Sequence, residues 1–392
     1  MSRTMTADVV IIGGGLHGCS AALHLSRRNL SCIIIEKDHV GRHASSANAG
    51  GVRTLMRDPR EIPLALASLD LWHDMRSLVD DDCGFEETGQ LRIAETPEDF
   101  EVLRKRADLV RGLGHSHEEL IDEKELYRLL PHMRPGCVGG LICRRDGSGN
   151  PLIAMRAFRV AVLKAGVTLH EGVAATGAEQ VGDGWRVNTT SGPVEAGMVV
   201  NCAGAWADRV AGWFGDHINV TPAAPMGMIT ARLPHLVGPV VSSVSRYLSL
   251  KQFENGTVLI SGHLRGDADR DRNIAALKMG DFAERARTVL DLFPQFSQAQ
   301  IVRFWAGIEA ITDDGSPVIG PSANSSNVIH AFGFNGHGFE LGPKVGAVVA
   351  EIAATGGTNT PLDGLTIHRF LPDEKTSATQ MADNEEMQIA QG

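Results

Sequence analysis

Val9, Val10, Ile11 and Ile12 form an apolar, β-branched run with no polar interruption, the pattern of a strand buried on both faces. Glycines follow, then Ala21, Ala22, Leu23 and Leu25 recur with helix-like spacing, and residues 32–35 supply a second apolar run. Strand, turn, helix and strand in that order predict a parallel, doubly wound sheet. Further on, Leu64, Ala67, Leu71, Met75 and Leu78 repeat every three to four residues, which predicts a helix over residues 63–79 with Pro63 in its first turn. Residues 98–130 are also helix-like but heavily charged, and read as surface helices.

Short apolar runs at 91–94 and 139–143 flank that charged segment and mark the start of a second domain. The chain then returns to the first domain through strands predicted at 167–169, 185–189 and 198–201, the last ending in Asn-Cys-Ala-Gly-Ala-Trp. Residues 258–260 belong to a later strand set, and residues 373–392, polar and without apolar periodicity, read as a disordered tail.

Composition narrows the function classes. The 392 residues are 43% hydrophobic and 21% charged, an ordinary globular balance, and the formal charge of −10 opposes nucleic acid and anionic membranes as partners. A local basic pocket for an anionic substrate is compatible with that total. The six cysteines are scattered in apolar runs without a Cys-x-x-Cys pair, so a reduced, cytoplasmic chain is expected. No stretch approaches the ~18 apolar residues of a membrane span, and residues 1–8 reach a strand without an apolar leader, so no integral membrane segment is expected.

Gly13, Gly15 and Gly18 fit Gly-x-Gly-x-x-Gly. The first permits the turn, the second admits a pyrophosphate, and the third lets helix and strand pack closely. Alone the motif is weak, but it follows a predicted strand, opens a predicted helix, and is followed by Glu36 at the end of the next strand, where a carboxylate binds ribose hydroxyls. FAD and NAD present adenosine and pyrophosphate alike, so the fingerprint does not separate them.

Four further segments make the chain resemble the glycine oxidase, sarcosine oxidase and D-amino acid oxidase superfamily: Ser45 to Arg53 (SSANAGGVR), Asn201 to Trp206 (NCAGAW), Arg303 to Gly320 (RFWAGIEAITDDGSPVIG) and Gly333 to Gly346 (GFNGHGFELGPKVG). The resemblance implies an α/β fold, a Rossmann-like FAD-binding domain (1–80, 150–220, 315–372) with an interleaved α+β substrate domain built on an antiparallel sheet (81–149, 221–314). It implies FAD contacts from Gly13, Gly15, Leu16, His17, Gly18, Glu36 and Lys37, and from Ser45, Ser46, Asn48, Ala49 and Gly50. It adds Val173 against the adenine, Ala203, Gly204 and Trp206 over the adenosine half, and Gly307, Gly333, Asn335, Gly336, His337, Gly338 and Phe339 around the flavin. The glycine-dense turn at 333–338 leads into an apolar helix over 345–354, whose amides suit an anionic reduced flavin.

Departures from the family pattern carry equal weight. Asn48 stands where some dimethylglycine dehydrogenases carry a flavin-linked His, and the C-terminal segments hold no Cys, so noncovalent FAD is expected, with His43 nearby. Glu309 stands where glycine oxidases carry a substrate-binding Arg. Either another arginine, Arg53 or Arg57, anchors a carboxylate, or Glu309 binds a cationic part of a different substrate. Ile260 occupies the position of an oxygen-activating Lys, which favours a dehydrogenase passing electrons to a quinone or protein partner over an oxidase using oxygen. His263 and His337 are candidate proton acceptors or flavin contacts, although a lone histidine in a strand or turn is more often structural. His39 and His43, and the cluster His115, His117 and Glu118, lack the further ligands of a metal site, and none is expected.

The expected activity is FAD-dependent oxidation of the C–N bond of a small amino or imino acid: D-amino, N-alkyl amino, hydroxyproline or opine. Hydroxy-acid or polyol-phosphate oxidation on the same fold, or a flavin subunit of a heteromeric dehydrogenase, are the alternatives. A homo- or hetero-oligomer is open.

Overall fold

The computed structural model describes residues 4–325 and 327–371, so the tail expected at 373–392 lies outside the described residues. An eight-stranded sheet forms around the first strand, Met5–Ile12, which pairs in parallel with Cys32–Glu36 on one side and Val194–Asn201 on the other. Thr168–Glu171 extends it beyond Cys32–Glu36, and Val328–Phe332 beyond Val194–Asn201, all in parallel. Cys32–Glu36 and Val328–Phe332 are buried at every position, as largely apolar strands are in a sheet covered on both faces.

The helix Leu16–Ser26 leaves the first strand through the glycine turn and packs on the long helix Gly338–Thr355. Glycine makes that approach possible. A Cβ on Gly342 would stand 2.5 Å from the Leu16 side chain, and one on Gly346 2.1 Å from Ser20 Oγ. At the turn itself, a Cβ on Gly18 would lie 2.0 Å from the Gly13 carbonyl oxygen.

The second sheet has eleven strands and is antiparallel apart from the parallel pair Gln90–Ala94 with Val240–Ser243. Its longest member, Val220–Thr230, pairs with Val258–Ser261, Arg265–Asp269, Ile301–Ala306 and Glu309–Thr312. A separate apolar core, with Leu91, Met228, Leu250, Ile260 and Phe293, fills one face. Every strand of the first sheet falls within 5–36, 168–201 or 318–332, and every strand of the second within 90–143 or 220–312. We propose that division as the two domains.

Several elements differ from the sequence reading. The helix expected over 63–79 is two, Ile62–His73 and Met75–Val79, broken at Asp74. The charged stretch contains Pro97–Gly112 and Glu123–Leu129, but between them Glu119–Asp122 is a strand paired to Gly139–Cys143. A four-residue strand embedded in acidic residues has no periodicity of its own; its partner decides it. Helices Pro151–Lys164 and Met279–Leu292 add to the elements expected from the sequence. All six cysteines are buried and free. Among the described residues, no helix is long and apolar enough to cross a membrane.

Gly18→Ala is expected to lower the stability of the FAD-free protein by at least about 1–3 kcal/mol, the usual overpacking range, because a backbone carbonyl rather than a flexible side chain must yield. Urea denaturation of the two proteins measures it.

Candidate active site

The carboxyl ends of the parallel strands open into a cavity of about 840 Å³ that runs beneath the second sheet. At one end lies the glycine turn. Gly14 donates its N–H to Glu36 Oε2 at 2.7 Å, Asp38 donates to Glu36 Oε1 at 2.8 Å, and Leu16 at the start of the helix donates to Ser45 Oγ at 3.0 Å. The Glu36 carboxylate thus stands at the strand end with lone pairs free for hydroxyl donors, beside the first-turn amides of a helix. Lys37 Nζ lies 3.9 Å from the centre of the Trp206 ring, which walls the same end. The His17 ring stacks on Phe334 at 3.7 Å, and burial pushes its pKa down to about 3, so it is a neutral wall.

The loop from Ser45 to Arg57 forms the middle. Asn48 donates its side-chain amide to the Ala44 and Ser45 carbonyls, and its Oδ1 accepts from Gly50 N–H. Beneath the loop, fully buried Arg57 is 3.2 Å from Glu340 and 3.9 Å from Glu61, and its Nε–H donates to the Arg53 carbonyl at 2.7 Å. Burial holds the Glu340 carboxyl well above the ordinary range, with Arg57 opposing. His337 Nδ1 lies 2.9 Å from Glu61 Oε2; an Nδ1–H donated there leaves Nε2 as an acceptor. Burial, reinforced by Arg57, lowers the His337 pKa to about 4, so the ring is neutral at pH 7.

The far end carries charge. Arg53 lines the cavity and forms no salt bridge among the described residues; burial, then the neighbouring Arg57, lowers its pKa to about 10. Glu309 faces the same space, accepts from Gly336 N–H at 2.6 Å, and is pushed up to about 7 by burial. Buried Lys251 donates to the Gly149 carbonyl at 3.2 Å beside Gly50 and is lowered by burial to about 7. At the mouth, His263 packs on Tyr247 with ring centres 4.7 Å apart, and burial lowers its pKa, with four arginines around it acting in the same direction.

Of the residues singled out from the sequence, Gly13, Gly15, Leu16, His17, Glu36, Lys37, Ser45, Asn48, Ala49 and Gly50 line this cavity. So do Arg53, Arg57, Ala203, Gly204, Trp206, His263, Glu309, Gly333, Asn335, Gly336, His337, Gly338 and Phe339. Gly18, Ser46, Val173 and Gly307 stand behind the wall. Gly18 abuts Gly13, Ser46 abuts Gly41, and Val173 donates its N–H to the Glu36 carbonyl while Ala174 and Ala175 face the cavity. A Cβ on Gly307 would strike Ala47 at 2.4 Å. Arg92, Lys251 and Arg265, which sequence reasoning missed, also line it. The only sequence trace of Lys251 is the one charge in the short strand Ser249–Gln252. Ile260 points into the apolar core, whereas Lys251, paired across strands with Leu259, brings a cation to the cavity face.

A glycine turn, a carboxylate at the end of the next strand and a chamber beneath an antiparallel sheet are the features of a dinucleotide-dependent oxidoreductase. Residues 8–352 match the DAO family, FAD dependent oxidoreductase, and the chain belongs to that family. Glycine oxidase of Geobacillus kaustophilus is 28% identical over 373 residues, 93% of this chain and 97% of that protein. Its crystal structure superposes with a TM-score of 0.86 over 94% of this chain and 100% of that chain, at 25% identity. One of the subunits of opine oxidase from Rhizobium meliloti is 25% identical over 93% of this chain and 97% of its own length. L-proline dehydrogenase from P. horikoshii, at 24% identity, shares the fold with a TM-score of 0.87 over 94% of this chain and 98% of that one.

FAD is the cofactor of this family, and the lining fits it. Gly204 and Gly336 line the cavity with φ of +55° and +84°, and a Cβ on either would meet no protein atom within 4 Å, so open space abuts both backbones.

Arg57→Ala would leave two buried carboxylates without their cation and is expected to destabilise the protein by about 3–5 kcal/mol, whereas Glu340→Gln, which replaces a carboxyl by a neutral isostere, should cost less than about 1.5 kcal/mol. Chemical denaturation of both variants separates the two effects.

Proposed function

We propose that this protein oxidises the C–N bond of a small amino or imino acid, with noncovalently held FAD. One observation carries the reading: a guanidinium, Arg53, and a carboxylate, Glu309, neither in a salt bridge among the described residues, face one cavity. That is the complement of a zwitterion. Arg53 takes the substrate carboxylate as a two-pronged acceptor, and Glu309 takes the ammonium. With a pKa near 7, Glu309 is half ionised at neutral pH, so it can remove the ammonium proton and leave the amine lone pair free to drive hydride departure. FAD supplies the hydride acceptor when bound. Water then hydrolyses the imine to a carbonyl compound and ammonia, or an amine where the nitrogen is substituted.

Arg57 serves differently: its charge is committed to Glu340 and Glu61, and its Nε–H fixes the Arg53 backbone. His337, neutral, offers Nε2 as an acceptor, and His263 stands at the mouth as a contact for the substrate's outer end. The glycine oxidase relative supports the amine chemistry. A hydroxy acid or polyol phosphate is less favoured, because an uncharged hydroxyl gives Glu309 no cation. That the opine oxidase relative is one subunit of its enzyme supports a hetero-oligomer. The six free thiols support a reducing, cytoplasmic setting. Oxygen is retained beside a quinone or protein acceptor, because Lys251 supplies a cation in the cavity.

Anaerobic titration with D-amino, N-alkyl amino, cyclic imino and hydroxy acids tests the reading. Bleaching of the flavin band near ~450 nm by an amine supports it, bleaching by hydroxy acids alone overturns it, and the rate of recolouring in air ranks oxygen against other acceptors. With a bleaching substrate, Arg53→Ala should raise KM about 10–100-fold, the range for a lost charged hydrogen-bonding partner. Because ionised Glu309 is the base, kcat/KM should rise with pH through about 7, and Glu309→Gln should abolish that limb while Lys251→Met retains it.

A further inference from the structure

In a chain of net charge −10, the cavity is basic: nine Lys or Arg side chains line it (37, 42, 53, 57, 92, 209, 246, 251, 265) against two carboxylates, Glu36 and Glu309. Four of them, Lys37, Arg57, Arg209 and Arg246, are paired with Asp38, Glu340, Asp271 and Glu95. Lys251 is half neutral near pH 7. Four guanidiniums have no salt bridge among the described residues: Arg42 at the glycine-turn end, Arg265 near Glu309, and Arg53 and Arg92, and arginine does not shed its charge at neutral pH.

The placement of Arg53 and Arg92 is specific. Gln90 donates to the Val52 carbonyl at 3.1 Å and to the Gly147 carbonyl at 2.8 Å, pinning its strand against the residue before Arg53. Arg92 is two residues along that strand, on the same face and about 7 Å further. Its neighbour across the parallel pair is Ser242, which also lines the cavity. Arg92 Nε is buried with no hydrogen-bond partner among the described residues. Asp99, the acid that acts on it electrostatically, is not within salt-bridge distance and accepts instead from Glu95 N–H at 3.0 Å. Arg57 adds a like charge beside Arg53, and the acids that act on Arg53 are engaged elsewhere: Asp146 accepts from the Thr54 and Leu55 amides, and Glu61 is held by His337 and Arg57.

We infer that the substrate carries a second carboxylate, on its side chain or on its nitrogen substituent, held by Arg92 and Ser242 while Arg53 holds the first. The inference rests on the amine reading above and names the class within it. Arg53 and Arg92 offer a guanidinium to each of two carboxylates, and Glu309 offers a carboxylate to the ammonium. A monocarboxylic amino acid leaves Arg92 desolvated and unpaired on the cavity wall, which costs binding rather than adding to it.

The test titrates the FAD-loaded protein, at low ionic strength, with ligands that have no C–N bond to oxidise: succinate and glutarate against butyrate, read by perturbation of the flavin absorbance. A dicarboxylate should bind about tenfold or more tightly than butyrate. Arg92→Gln should bring the two to equal affinity, and Arg92→Lys should restore part of the preference, with flavin content and denaturation midpoint confirming that both variants fold. Equal affinities in the unaltered protein, or a preference that survives Arg92→Gln, overturn the inference. Bleaching by amines without any dicarboxylate preference removes the inference and leaves the amine reading. A dicarboxylate preference lost in Arg92→Gln without bleaching by any amine does the reverse.

Discussion

A single buried guanidinium organises this active-site region. Arg57 reaches Glu61 at the start of one helix and Glu340 at the start of another, and its Nε–H holds the carbonyl of Arg53. Two acidic groups and one guanidinium in a desolvated pocket are stable only if the geometry is fixed, and burial raises the Glu340 carboxyl well above its ordinary range against the pull of Arg57. The Glu340 backbone is fixed too, since its carbonyl accepts from Ser68 Oγ at 2.6 Å and Trp72 Nε1 at 2.8 Å. Because Arg57 is so constrained and holds the Arg53 carbonyl, Arg53, four residues earlier, has a fixed origin while its guanidinium has no salt bridge among the described residues. Positioning of this kind matters more than raw charge, for a flexible arginine would lose rotamer freedom on each binding event.

The rest of the chamber follows the same rule of fixed backbone and spare side-chain charge. Glu309 receives one backbone N–H, from Gly336, which is too little to restore an ordinary carboxylate pKa against burial. The histidines that drew attention in the sequence are neutral walls or acceptors: His17 stacked on Phe334, and His337 tied to Glu61. Desolvation dominates each of these shifts, so excluding water is itself part of how the groups are tuned.

What the sequence made legible was local or collinear. The apolar runs at 9–12 and 32–35, the glycine turn, Glu36 and the segment at 201–206 lie at successive strand ends of one sheet, where order along the chain and position in space coincide. The basic wall was not legible. Arg92 reads as the polar residue of an alternating strand, and only the parallel pairing with Val240–Ser243, about 150 residues later, turns its face inward. Lys251 reads the same way. Glu119–Asp122 was lost because a short acidic strand carries no signal until its partner is present. Val173 and Gly307 come from resemblance alone; each sits one residue away from a neighbour that faces the cavity, as expected where a pattern fixes a segment but not the direction of each side chain.

The helix–helix contact at Gly342 and Gly346 has a temporal side. Ser20 and Pro343, joined at 3.3 Å, are 323 residues apart in the chain, so the wall that closes over the glycine turn is made last during synthesis. Until then the first strand, its helix and Glu36 present an open half-site with apolar faces exposed. Contacts of such sequence separation form slowly, and the parallel pairing of the first strand with Val194–Asn201 covers one of its edges before the final helix is made. A ligand that binds only the closed site stabilises that late closure in proportion to its affinity and concentration.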